Sequence, residues 1–179
     1  MNVTVDPPAF SIVDYDAGRI AAITAEVAAL VGLPDDVRIG IAVDERNPFG
    51  KVSAVVHGRA VEIFVEGGAF EDPRQLRRFS EANTRLVLGR LLYRIADRLD
   101  PAFGEPPTDA ELTPAEHTAW DAYAVGRWSR RSGEDGGQAR RRYAFRLRYG
   151  FTDAVDRAFD RLWAGDDLSW EDVRNTVAL

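Results

Sequence analysis

Val87-Leu88-Gly89-Arg90-Leu91-Leu92-Tyr93-Arg94-Ile95-Ala96-Asp97-Arg98-Leu99-Asp100-Pro101-Ala102-Phe103-Gly104 is the stretch on which the fold turns. Leu88, Leu92, Ile95 and Leu99 recur at helical spacing and predict one stripe turned to a core. Arg90, Arg94 and Asp97 gather on the opposite side of that helix. Taken alone, the row is a solvated face with an Arg94–Asp97 pair worth about 0.3 kcal/mol. Asp100-Pro101 closes the helix, because the ring of a proline disfavours the helical region at the residue before it.

Upstream, the helical pattern reaches back to about Pro73, where Asp72-Pro73 reads as an N-cap with proline in the first turn. A break or kink is expected near Ser80–Asn83. Further back, residues 16–31 are alanine-rich with Ile20, Ile23 and Val27 at helical spacing, Asp16 as N-cap and Gly32 and Pro34 as the stop. Val37, Ile39, Ile41 and Val43 alternate as a strand. Lys51–His57 and Ala60–Glu66 read as a hairpin about Gly58-Arg59, with Val61, Ile63 and Val65 on one face. Downstream, Thr113-Pro114-Ala115-Glu116 is a capping box that starts a helix running to about Arg131. Two more helices are expected at about 139–164, interrupted at Gly150, and at 169–178. Strands segregated from helices predict an α+β fold with a small antiparallel sheet and packed helices, one domain spanning 1–179.

Composition removes several chemistries. The 179 residues contain no cysteine, so disulfides, thiolate metal sites and cysteine nucleophiles are excluded. His57 and His117 are the only two histidines, which excludes a histidine-rich metal centre. No strand leads into a Gly-rich phosphate loop, and no serine sits in a G-x-S-x-G elbow. Met1–Pro8 lacks the basic and apolar regions of a secretory signal, and no apolar run is long enough for a bilayer, so a cytoplasmic location is expected by default. The formal charge of −6 argues against broad nucleic-acid coating.

The segment from Val87 to Gly104 resembles the active-site helix of small zincin-type metallopeptidases. There an apolar lead-in precedes H-E-x-x-H, and in some members an Asp-Pro-x-Phe-Gly-like exit follows. The preceding layout is similar as well: a helix, then a small sheet whose last strand leads to that helix. The resemblance covers about residues 16–130, with a helical extension at about 138–179. In its register Arg90 stands at the first zinc histidine, Leu91 at the general-base glutamate and Arg94 at the second histidine; Asp97 falls where some zincins place a third ligand. Guanidinium groups have no lone pair for a metal, and two cations at i and i+4 repel Zn²⁺. Leu91 cannot accept a proton.

The resemblance therefore implies a zincin-like protein without metal, cofactor or catalysis. Its former cleft, floored by Arg90 and Arg94 beside Asp97, would bind a peptide or protein carrying acidic groups. Neutralisation of both arginines by carboxylates of the chain itself is the competing expectation. Two other readings stay open. One is nucleic-acid binding by Arg127–Tyr149, where eight arginines face Glu134 and Asp135 and are interleaved with Trp128, Tyr143, Phe145 and Tyr149. Against it stands the expectation that these arginines pair with carboxylates elsewhere in the chain. The other is an enzyme with a carboxylate pair drawn from Asp44, Glu45, Glu62 and Glu66.

Overall fold

Strand alternation and helix caps build the elements of this computed structural model, which describes residues 1–176. The architecture is α+β. Contacts divide the chain into two compact units, Met1–Ile95 and Ala96–Leu179, where the sequence suggests a single domain.

The first unit begins with a strand absent from the sequence reading, β1 (Asn2–Asp6). Helix α1 (Ala17–Val31) follows, with Asp16 accepting a hydrogen bond from the Arg19 N–H at 2.6 Å and Gly32 closing the helix in the left-handed region. Next come β2 (Arg38–Asp44), β3 (Val52–His57) and β4 (Ala60–Glu66). The strand order is β1-β2-β4-β3. β1 and β2 are parallel, β2 and β4 are parallel, and only β3 runs antiparallel, to β4. The sheet is thus mixed, not antiparallel as expected. The reason is the crossover: α1 returns the chain to the same edge and so lays β2 parallel to β1. The β3–β4 hairpin then places its second strand, not its first, against β2.

Ile39, Ile41 and Val43 on β2 and Val61, Ile63 and Val65 on β4 are buried, together with Ile20, Ile23 and Val27 of α1. Each such aliphatic side chain contributes roughly 1.5–3 kcal/mol on burial.

Between sheet and helix, the expected helix start at Pro73 gives way to a two-stranded hairpin, β5 (Glu71–Asp72) and β6 (Gln75–Phe79). Asp72 accepts from the Arg74 N–H at 2.8 Å, a turn contact rather than a cap. Helix α2 (Glu81–Leu99) starts at the predicted break instead. There the Ser80 hydroxyl accepts from the Asn83 N–H at 3.2 Å, and the Asn83 amide donates to the carbonyls of Ala69 and Glu71 at 2.8 and 3.0 Å.

The second unit is helical: α3 (Pro114–Ser132), α4 (Gln138–Tyr149), α5 (Asp153–Ala164) and α6 (Trp170–Asn175). The capping box at Thr113 and Glu116 forms as read. Gly150 and the Thr152 cap separate α4 from α5. The last turn expected for the final helix, Val177-Ala178, lies outside the described residues. Phe103, Trp120, Tyr123, Phe145, Phe159 and Trp170 form an aromatic core. α3 and α5 cross closely at Gly126, where a Cβ atom would lie 2.2 Å from the Trp163 carbonyl oxygen.

Candidate functional site

The row expected on α2 is not a wet face. Arg94 is 3% exposed and Asp97 4%, Leu91 is buried, and Arg90 is half-buried. In the second unit the Asp97 carboxylate is consumed by internal donors. Its two oxygens accept from Arg127 at 2.8 and 2.6 Å, and one of them also accepts from the Trp120 indole N–H at 2.7 Å. The Arg127 guanidinium lies 3.8 Å over the Tyr123 ring, and Arg98 lies 4.5 Å over the Trp120 ring while reaching Asp109 at 2.8 Å. In this network charge, ring and indole hold one another, and burial pushes the Tyr123 hydroxyl pKa up. Asp97 is a structural anchor. Arg90 and Arg94 likewise have interaction partners within the protein.

The arginines of the 127–149 segment are mostly paired. Arg130 meets Asp166 at 2.6 Å, Arg141 meets Asp121 at 3.0 Å, Arg146 meets Asp156 at 2.6 Å, and Arg142 reaches Asp160. Trp128 and Phe145 are core residues, so the interleaved aromatics form no continuous stacking platform. The basic run is chiefly an intramolecular clamp.

Two accessible hollows lie on the face of the sheet opposite the buried aliphatic side chains. Side chains alternate across a strand, so burying Ile39, Ile41 and Val43 turns Gly40, Ala42 and Asp44 outward. On β4 the same parity turns Glu62, Phe64 and Glu66 outward. Register places Thr4 beside Gly40, Asp6 beside Ala42, Ala42 beside Phe64 and Ser53 across from Phe64. Gly40 and Ala42 make a low floor on the central strand, and taller neighbours wall it. One hollow of about 520 Å³ is lined by Thr4, Asp6, Pro8, Gly40, Glu62 and Phe64, among others. A second, of about 340 Å³, shares Asp6, Ala42 and Phe64 and adds Asp44, Lys51, Ser53 and Glu66. None of Arg90, Arg94 and Asp97 lines either hollow.

The charged lining is carboxylate apart from Lys51, which is the wrong sign for the acidic partner expected from Arg90 and Arg94. Of the carboxylates named for an enzymatic site, Asp44, Glu62 and Glu66 share this face, and Asp44 pairs with Glu66 in register. Glu45 is engaged elsewhere: it accepts from the Ile12 and Ser11 N–H groups at 2.7 and 2.8 Å and from the Ser11 hydroxyl at 2.9 Å. Those bonds, the Ile12 one first, hold its carboxyl below the usual range. Among the described residues no three His, Cys, Asp or Glu side chains converge as metal ligands. His57 and His117 are exposed, one in each unit.

The signal for this face was present in the sequence. Phe64 stands at the solvent parity of β4, out of phase with Val61, Ile63 and Val65. A single exposed aromatic is common on protein surfaces, so Phe64 marks the wet face of β4 and register gathers the hollow around it. Compared with known proteins, the chain matches no family model, no curated protein and no solved structure.

Proposed function

We propose that this chain is a non-catalytic binding protein on a zincin-like, metal-free scaffold, and that it binds through the open face of its mixed sheet. The scaffold half of this reading rests on the order helix, sheet, helix in the first unit, with Arg90, Leu91 and Arg94 at the positions where a zincin carries its metal-binding and base residues. None of those side chains can ligate zinc or accept a proton. The binding half rests on one observation: a sheet of mainly parallel strands leaves one face uncovered, with Phe64 45% exposed over a floor of Gly40 and Ala42. Parallel strands are normally covered on both faces. The hollows there favour a cationic segment with an apolar side chain, because Asp6, Asp44, Glu62 and Glu66 outnumber Lys51 in their lining.

Two measurements test it. Metal analysis of the purified protein and melting with added Zn²⁺ are expected to give neither stoichiometric zinc nor a zinc-dependent rise in Tm; either result overturns the scaffold reading. Titration of the labelled protein with a synthetic peptide alternating arginine with leucine and tyrosine is expected to shift the amide resonances of Thr4, Ala42 and Phe64. The same peptide with glutamate for arginine is expected to leave them still. Equal responses to both peptides, or none to either, overturn the binding reading.

A further inference from the structure

Helix α4 carries a second unpartnered surface, opposite in charge to the first. Arg141, Arg142 and Arg146 point to carboxylates, and Phe145 points into the core. The residues left outside are Arg140, Tyr143, Ala144, Leu147 and Arg148, at the spacing of one helical stripe. Tyr143, Leu147 and Phe151 are 56%, 63% and 63% exposed, and the Tyr143 and Phe151 rings pack edge to face at 6.0 Å. Arg140 and Arg148 make no ion pair among the described residues, although their neighbours on the same helix all do. An apolar trio flanked by unneutralised cations calls for an acidic surface with an apolar centre.

The chain itself offers such a surface. On the open sheet face, Asp6, Asp44, Glu62 and Glu66 take part in no ion pair among the described residues and, with Lys51, line the hollows beside the exposed Phe64; the exposed Val55 pairs with Glu62 in register. We infer that the α4 stripe of one copy docks on the open sheet face of a second copy, a head-to-tail contact. This rests on the sheet face being a binding surface, as proposed above, and names its occupant. Contacts between like patches are electrostatically opposed: sheet on sheet brings carboxylates together, and stripe on stripe brings Arg140 and Arg148 together. Two patches this small give a weak, concentration-dependent association.

Sedimentation velocity of the full chain tests it. The weight-average sedimentation coefficient is expected to rise with protein concentration at low salt, and the rise is expected to shrink at high salt. Phe64→Glu and Leu147→Glu, both at exposed positions, are each expected to stay monomeric alone. Mixed in equal amounts, they are expected to form a one-to-one pair and grow no further, because the first keeps an intact stripe and the second an intact sheet face. Circular dichroism melts establish that each variant is folded; Glu62→Arg replaces Phe64→Glu if the latter is not. A wild-type chain that stays monomeric, single variants that still associate, or a mixture that fails to pair overturns the inference. A monomer whose Thr4, Ala42 and Phe64 amides still respond to the arginine peptide loses only the self-docking. A monomer without that response loses the sheet-face reading as well.

Discussion

Replacing Asp97 by alanine separates a structural anchor from a site residue. In the folded protein this carboxylate neutralises the buried Arg127 through two hydrogen bonds and accepts a third from Trp120. Removing it takes from Arg127 the carboxylate it meets at 2.6 Å and from the Trp120 indole N–H the acceptor at 2.7 Å. Breaking a buried ion pair by deleting one partner costs about 3–5 kcal/mol. For a chain of this size 1 kcal/mol corresponds to about 2–4 °C, so a fall in Tm of about 6–20 °C is expected. The assay is a thermal melt followed by circular dichroism, repeated in urea to test for a single transition. The double variant Asp97→Leu with Arg127→Leu completes a cycle: removing both charges is expected to destabilise less than removing Asp97 alone. An Asp97→Ala protein melting within about 2 °C of wild type, a small fraction of that expected loss, would refute the assignment and return Asp97 to the surface role its helix position suggests.

Other expectations follow from features already described. Gly126→Ala forces a Cβ atom against the Trp163 carbonyl, and overpacking of this kind costs about 1–3 kcal/mol, read as a lower urea midpoint. Asn83→Ala removes both bonds that tie the start of α2 to Ala69 and Glu71, and faster amide exchange in the β5–β6 hairpin is the expected result. Acid destabilisation has a defined sign. The Glu45 carboxyl is held low by the Ile12 and Ser11 N–H groups, and Asp156 by Arg146, so the unfolded chain takes up protons first. Their stabilisation is present above the ordinary carboxylate pKa of about 4 and is lost as pH falls below it through the folded values. Glu45→Gln is expected to flatten that acid limb in melts recorded across the range, and an unchanged limb would rule this source out.

Where the sequence carried a local signal, it was legible. Asp16 and Gly32 bound α1, Thr113 with Glu116 starts α3, and alternation marks β2 through β4. Each of these depends on neighbours within a few residues. Asp72-Pro73 misled because the same pair opens a helix or a turn, and the choice is made by Asn83 gripping the carbonyls of Ala69 and Glu71. β1 has only two apolar residues and exists because β2 offers it a parallel edge. The polar row on α2 looked solvent-facing because a helical wheel has no knowledge of what lies beyond the helix. Trp120 and Arg127, 23 and 30 residues further on, decide the fate of Asp97. The candidate face is collective in the same way: Thr4, Gly40, Ser53 and Phe64 come from four strands and meet only through register.

The place of β1 has a practical corollary for handling the protein. It is one of the two edge strands of the sheet, laid along β2 by residues 2–6 alone. Cleavage ahead of Pro7 that releases β1 strips β2 of one of its two neighbours and leaves a raw ladder of donors and acceptors looking for another strand. Damage at that end is expected to show first as sticky, self-pairing material and only afterwards as a loss of melting temperature.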